Sequence, residues 1–282
     1  MIQYDEMLAR AAAAANSSST VAAVVPQIVH HTWKDTNVPR RWGGSYGSWK
    51  SRLVGKGWKF EFWTDDRARQ LIIERFPWFL DTYDRYEYPI QRADCLRYFV
   101  LYEYGGVYTD LDVGLKGDLS GLLTYGVVLP ETRPIGFSND FLVSAKGHPF
   151  FLQVIQRLQQ NAYSRLGLPY LTIMMSTGPL FLSLQLADYP RLEDVHVLAA
   201  SVYGGQDNQA LLFHVTGNSW HAWDAGYIVA TWELLQRPII KIVLIAAGVM
   251  VLVLVYSRCG WCCYPCRHCN AATTSGNLNV PD

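Results

Sequence analysis

Apolar and polar positions follow two periods along this chain. Residues 27–32 and 59–64 read as short β-strands, and Asp65 or Asp66 stands where a helix cap belongs. That helix is expected to run to about Arg75, where Phe76 and Pro77 end it. From Pro89 onward Ile90, Ala93, Leu96, Val100 and Tyr104 form one helical stripe, with proline in the first turn and Gly105-Gly106 as the stop. Val107 and Tyr108 resume as strand and end at Asp110. Strand, helix and strand in alternation predict an α/β domain. Residues 223–235 again carry a helical pattern. Beyond them, residues 239–256 are apolar except for Lys241 and Gly248. At about 1.5 Å per residue such a helix nearly matches the hydrocarbon thickness of a bilayer, so the sequence predicts a membrane-attached protein.

Composition divides the chain into four parts: a weakly structured Ala/Ser-rich segment 1–25, a globular domain 26–236, a transmembrane helix 237–257 and a short tail 258–282 that is Cys-rich at first. There is no internal repeat. The 24 basic and 24 acidic residues balance, which argues against nucleic acid as the main partner, and the 50% hydrophobic content excludes a disordered chain. No secretory apolar region is legible at the N-terminus, since residues 20–25 are far too short to span. A chain anchored only by a C-terminal helix would leave its main domain in the cytosol. Arg237 and Lys241 before the apolar run roughly balance Arg258 and Arg267 after it, so charge does not set the orientation. Only Cys95 lies in the globular part, which therefore holds no internal disulfide. Cys259, Cys262, Cys263, Cys266 and Cys269 crowd the tail. Their place beside a membrane helix suits acylation, their C-x2-C spacings suit zinc, and having no special role is the third reading.

The sharpest candidate chemistry is Tyr108-Thr109-Asp110-Leu111-Asp112-Val113. In an extended segment Asp110 and Asp112 would face one side with Cα atoms about 6.6 Å apart, close enough to converge on Mg²⁺ or Mn²⁺. Two exposed turn carboxylates are the alternative. The position after an apolar strand and a Gly-Gly turn favours a site. Asp94 and Arg97, three apart, share one helical face, either as a surface ion pair or as a pair that binds sugar hydroxyls. The run from His214 to His221 offers two histidines as metal ligands or structural hydrogen-bonding groups. Phosphate-loop, dinucleotide, zinc-protease and serine-hydrolase motifs are absent from the sequence.

In order along the chain, Pro26-Gln27-Ile28-Val29-His30-His31-Thr32-Trp33-Lys34, Phe62-Trp63-Thr64-Asp65, the run from Tyr88 to Tyr98, and Tyr104-Gly105-Gly106-Val107-Tyr108-Thr109-Asp110-Leu111-Asp112 resemble the successive blocks of glycosyltransferase family 32. Phe137-Ser138-Asn139-Asp140, the run from Ser176 to Phe181, and that from Gly217 to Ala225 resemble its fungal branch acting on inositol phosphorylceramide. The resemblance covers about residues 26–230. It implies a GT-A-type, Rossmann-like nucleotide-sugar domain and a divalent cation, Mn²⁺ with Mg²⁺ as the alternative. It further implies transfer of mannose from GDP-mannose to inositol phosphorylceramide, with retention, at a Golgi or other secretory-pathway membrane. A membrane regulatory subunit is a further implied partner.

By position, the resemblance assigns Asp110 and Asp112 to the metal and the donor diphosphate. It assigns Asp94 and Arg97 to the sugar hydroxyls, and Thr32 and Trp33 to the strand end beside the base. Tyr108, Asn218, Ser219 and Trp220 join the donor-binding set, and His221 falls near a C-terminal metal or phosphate ligand. Asp140 stands as a candidate nucleophile, acceptor-binding group or turn cap. Three rivals remain: a mannosyltransferase extending N-linked glycans or polysaccharide, a non-catalytic membrane subunit, and a metal-binding cysteine module in the tail. The apolar helix weighs against the first, and the intact set Asp94, Arg97, Asp110 and Asp112 against the second.

Overall fold

The computed structural model describes residues 25–132, 136–165, 167–204, 210–215, 217, 223–237, 249–251 and 255. The chain divides into two compact units, the first ending at Ala225 and the second starting at Gly226. The strands are β1 (Ile28–Thr32), β2 (Lys59–Trp63), β3 (Gly106–Thr109), β4 (Val113–Leu115), β5 (Val127–Pro130), β6 (Phe141–Ser144), β7 (Val195–Leu198) and β8 (Leu212–His214). The helices are α1 (Gly43–Leu53), α2 (Asp65–Arg75), α3 (Leu80–Arg85), α4 (Pro89–Tyr104), α5 (Pro149–Asn161), α6 (Pro169–Ser176), α7 (Pro179–Ala187), α8 (Ala200–Gly204) and α9 (Ala225–Gln236).

The first unit is mixed α/β. Six strands form one sheet in the order β2-β1-β3-β6-β5-β7, and β4 pairs with β8 in a small second sheet. Strands β2, β1 and β3 are parallel, β6 runs against both β3 and β5, and β7 is parallel to β5. One apolar cluster joins Leu71, Phe99, Leu142, Phe150 and Phe181, and a second joins Trp49, Val107, Val113, Phe141 and Leu212. Helix α5 illustrates the packing rule: Phe150, Phe151, Val154, Ile155 and Leu158 are buried at helical spacing. Each such side chain contributes about 1.5–3 kcal/mol on burial.

Helix α4 has the expected bounds but not the expected single stripe. Asp94 to Leu101 are all buried, so the helix is enclosed on every side rather than amphipathic. Gln91 fastens its start, accepting from the Tyr88 amide at 3.0 Å and donating to Ser176 Oγ at 2.7 Å. Its end turns through two glycines with positive φ, Gly105 at 67° and Gly106 at 102°. A Cβ on Gly106 would lie 2.5 Å from the Ile28 carbonyl oxygen, so only glycine lets β3 start against β1. The cap of α2 is Thr64, whose hydroxyl accepts from the Arg67 amide, and not Asp65 or Asp66.

Two histidines of β1 are held neutral inside the sheet. His30 Nε2 donates to the Gly105 carbonyl at 2.9 Å while its Nδ1 accepts from Trp63 Nε1 at 3.2 Å. His31 Nδ1 donates to the Thr109 carbonyl at 3.0 Å. Burial lowers His30 to about 4 and His31 to about 3, against 6.5 in an open chain. The unfolded chain therefore takes up protons below pH 6.5 that the native state refuses. Stability is at its full value above pH 6.5 and falls as pH drops toward 4 and 3. Taken alone, the two rings should cost on the order of 2–4 kcal/mol of stability between pH 7 and pH 5, opposed over the same range by Asp110, whose raised carboxyl favours the folded state as pH falls. Imidazole carbon shifts read by NMR should show both rings neutral at pH 5, and a ring that titrates near 6.5 would show that it is not buried as a neutral group.

Of the expected membrane segment 237–257, Arg237, Val249–Val251 and Val255 are described. Val249, Met250, Val251 and Val255 are helical and exposed, and the remainder lies outside the described residues. The expected segment 1–25, apart from Val25, and the tail 258–282 also lie outside them. Among the described residues one stretch, Pro169–Ala187, is long and apolar enough to cross a bilayer, with half of it buried. Thr177 and Gly178 divide it into α6 and α7, and Thr177 accepts a hydrogen bond from Tyr98 inside the domain. We read it as core.

Candidate active site

The parallel strands deliver their C-terminal ends to one edge of the sheet. Pairing of Thr32 with Trp63 sets β1 and β2 level, pairing of His30 with Tyr108 sets β3 beside them, and antiparallel pairing of Thr109 with Phe141 puts the start of β6 at the same height. Along that edge the order is therefore Asp65 after β2, Thr32 to Lys34 at β1, Asp110 after β3, and Asp140 before β6. These residues line a cleft of about 580 Å³, with Trp42, Asp94, Arg97, Asp112, His214 and Gly217.

The two aspartates after β3 reach this cleft by a route the strand pattern did not predict. The strand stops at Thr109, and Asp110 to Val113 form a turn closed by the Val113 amide on the Asp110 carbonyl at 3.2 Å. Strand alternation is not what aims the pair; a tight turn is. Helix α1 holds that turn from below. Ser45 Oγ donates to the Leu111 carbonyl at 2.5 Å, Trp49 Nε1 to the Val113 carbonyl at 2.8 Å, and Ser48 Oγ accepts from the Leu115 amide. The Asp110 amide donates to the Asp140 carbonyl at 2.8 Å. Val215, following β8, donates its amide to the Asp112 carbonyl. Gly217 then passes so close to the Asp112 carboxylate that any Cβ there would overlap it.

Asp94 and Arg97 are no surface pair. Each is 4% exposed. Arg97 Nη2 lies 3.1 Å from Asp94 Oδ1 and 3.2 Å from Asp110 Oδ2, while Nη1 donates to the Asn139 carbonyl at 2.7 Å. Asp94 also accepts from Asn139 Nδ2 and Thr177 Oγ1, each at 3.1 Å. Tyr108 donates its hydroxyl to Asp110 Oδ1 at 2.7 Å, with its ring 5.2 Å from the Arg97 guanidinium carbon. Burial pushes the Asp94 carboxyl up, and Arg97, Thr177 and Asn139 offset only part of that shift.

Asp140 organises a second cluster. Its Oδ1 accepts from Ser138 Oγ and Tyr203 OH, each at 2.5 Å, and its Oδ2 lies 2.6 Å from Tyr203 OH and 3.4 Å from His214 Nε2. His214 Nε2 is also 3.0 Å from Tyr203 OH. Burial opposes charge on both groups. For His214 the Asp140 hydrogen bond and charge outweigh it and raise the pKa, and for Asp140 the bonds from His214, Ser138 and Tyr203 lower it. The two side chains meet inside the cleft and form an ion pair when His214 is protonated.

The carboxylate set fits a hard divalent cation. Asp110 is raised to about 7, first by burial and then, against the pull of Arg97, by Asp112 and Asp140; burial and Asp140 raise Asp112 as well. Such unrelieved repulsion is what a bound cation would remove. Among the described residues no group of three His, Cys, Asp or Glu side chains closes a complete cage.

Of the residues expected from the sequence, Thr32, Trp33, Asp94, Arg97, Asp110, Asp112 and Asp140 line one cleft, and Tyr108 lies buried beneath it. Asn218, Ser219, Trp220 and His221 lie outside the described residues. Sequence reasoning missed Tyr203, and offered His214 as a metal ligand or structural hydrogen-bonding group without its partner Asp140; Tyr203 lies 63 positions from Asp140. Asn139 and Thr177 stood inside quoted motifs, but their contacts to α4 were not legible.

Residues 39–134 match the family described as the glycosyltransferase sugar-binding region containing DXD motif. Inositol phosphoceramide mannosyltransferase 3 of Schizosaccharomyces pombe is 41% identical over 213 residues, covering 73% of this chain and 59% of that protein. Mannosyl phosphorylinositol ceramide synthase SUR1 of Saccharomyces cerevisiae is 37% identical over 265 residues, covering 91% of this chain and 66% of that protein. The chain thus spans less than two thirds of the length of these relatives. Among solved structures, the PaToxG glycosyltransferase aligns with a TM-score of 0.48 at 16% identity, over 66% of this chain and 76% of that one.

Proposed function

Because the chain belongs to the glycosyltransferases whose sugar-binding region contains the DXD motif, we propose that it transfers mannose from GDP-mannose to inositol phosphorylceramide in a GT-A-type domain, with retention at the anomeric carbon. The observation that carries this reading is the turn that brings Asp110 and Asp112 into one cleft with the buried Asp94–Arg97 pair.

Cleavage of a nucleotide sugar builds negative charge on the departing diphosphate and positive charge on the anomeric carbon. Asp110 and Asp112 would hold a divalent cation, Mn²⁺ or Mg²⁺, with His221 as a further ligand, and such an ion when bound stabilises the charge on the leaving group. Arg97 fixes Asp110 from behind, so this carboxylate keeps its orientation whether or not the cleft is filled. Asp94 and Arg97 meet the sugar hydroxyls, and their burial excludes water from that end. Thr32, Trp33 and Tyr108, with Asn218, Ser219 and Trp220, complete the donor site in this reading. Asp140 accepts from Tyr203 and Ser138 and pairs with His214, so its lone pairs are largely engaged. We therefore assign it to orienting groups at the acceptor side rather than to attack on the sugar. That leaves front-face attack by the acceptor hydroxyl as the retaining route.

The acceptor follows from the named relatives and from the apolar run 239–256, which we read as a single membrane span in a secretory-pathway membrane. About eighteen residues separate His221 from that run, a reach of no more than about 60 Å even if extended. The deciding experiment offers GDP-mannose with inositol phosphorylceramide in mixed micelles, or with free oligomannose, to the full chain. Product is expected with the lipid alone. Transfer to oligomannose and not to the lipid would place the protein among glycan-extending enzymes.

A further inference from the structure

At the β2–β1 end of the cleft two charged side chains have no work inside the protein. Lys34 and Asp65 both line the cleft and both are exposed. Neither side chain makes a hydrogen bond or ion pair with the described residues, whereas the neighbouring Arg67 is engaged by Glu61 and by the Phe62 carbonyl. Their backbones are joined, the Asp65 amide donating to the Lys34 carbonyl at 3.4 Å. The two residues thus belong to one rim. Next to them Trp33 meets Trp42 edge to face at 5.1 Å, and both indoles line the cleft.

On the proposed nucleotide-sugar reading, which this inference deepens, the order of residues along the sheet edge sets the ligand's direction. The carboxylates after β3 mark the diphosphate, and the buried polar cluster of Asp94, Arg97 and Asn139 marks the sugar. The base must then lie the other way, over β1 and β2, two strand spacings or roughly 10 Å from β3. The aromatic wall of Trp33 and Trp42 suits a flat ring. What remains there for its edge is one ammonium and one carboxylate.

We infer that Lys34 and Asp65 read the guanine base of the donor, selecting a guanosine over a uridine diphosphate sugar. Guanine presents O6 and N7 as neighbouring acceptors, which a lysine ammonium can meet. Its N1–H and N2–H are two parallel donors, matching the two oxygens of an acceptor-only carboxylate. Uracil offers one ring N–H between two carbonyl oxygens, so a carboxylate aimed at that edge would confront an acceptor. A site built to bind particular N–H groups rejects analogues that lack them more strongly than an apolar pocket can.

The test is equilibrium binding of GDP, IDP, XDP and UDP to the full chain and to its Asp65→Asn and Lys34→Met variants, with Mn²⁺ present. IDP lacks the N2 amino group, and XDP replaces it with an oxygen that an asparagine amide can meet. Wild type should favour GDP over IDP by about tenfold or more, and over UDP by more than that. Asp65→Asn should weaken GDP by about tenfold or more, bring the GDP/IDP ratio close to one, and tighten XDP relative to wild type. Lys34→Met should weaken GDP and IDP equally, since both carry O6 and N7. A gain in XDP affinity cannot come from a general loss of structure. GDP selectivity retained in Asp65→Asn overturns this inference and leaves the transferase reading intact. Wild type that binds UDP as tightly as GDP overturns this inference and the guanosine donor together.

Discussion

Asp112→Asn should reduce the proposed mannosyl transfer about a thousandfold or more while leaving the folded protein intact, and Asp110→Asn should do the same to transfer. The magnitude follows from removing a charged group that stabilises developing charge in a confined site. The two variants are expected to part company in stability. Asp112 makes no ion pair among the described residues, whereas Asp110 is tied to Arg97 and Tyr108. Thermal denaturation gives a readout independent of turnover. Mn²⁺ should raise the melting temperature of wild type by relieving repulsion among Asp110, Asp112 and Asp140, chelator should reverse the rise, and Asp112→Asn should lose most of it. Full activity in excess chelator, or an undiminished Mn²⁺ shift in Asp112→Asn, would remove the cation from these two residues.

The second large effect is expected at Arg97, and there stability and activity fail together. Arg97→Met leaves Asp94 and Asp110 without their cation in a buried site and strands the Asn139 carbonyl. Breaking a buried pair by removing one partner destabilises by about 3–5 kcal/mol. The denaturant midpoint should fall accordingly, with no detectable transfer even where the variant remains folded. Arg97→Lys should recover part of the stability and little of the activity, because one ammonium cannot reach Asp94, Asp110 and Asn139 in the planar geometry that guanidinium allows. A midpoint within 1 kcal/mol of wild type for Arg97→Met, as exposed pairs give, would mean that the cluster is not enclosed in solution.

How much was legible in the sequence depended on how local the causes were. Helix α4 and the glycine stop before β3 were readable because proline, periodicity and a Gly-Gly pair act within a few residues. The same period wrongly suggested an exposed face for α4, since the sequence shows which positions are apolar but not that α5, α6 and α7 enclose the remaining side. The Asp110–Asp112 pair was found, yet its geometry was misread. A strand rule was applied one residue beyond the strand, and what aims the carboxylates is a turn latched by Ser45, Ser48 and Trp49 from more than sixty positions earlier. Tyr203, and the partner that gives His214 its place, lay beyond reach for the same reason. Their significance is contact with Asp140 across long stretches of chain.

The Arg97 cluster bears on how an inert form of this protein should be prepared. A single guanidinium here fastens α4, the end of β3 and the loop before β6, so the part of the molecule proposed to meet the donor sugar is also the part that keeps three elements together. Substituting Arg97 or Asp94 to silence the protein would yield a sample whose inactivity cannot be separated from loosened architecture. It would also loosen the cover over the buried apolar side chains of α4. Asp112, at the tip of the turn and outside that network, is the position at which a silent but well-formed version can be made. Such a version is the appropriate reference for separating loss of turnover from loss of structure.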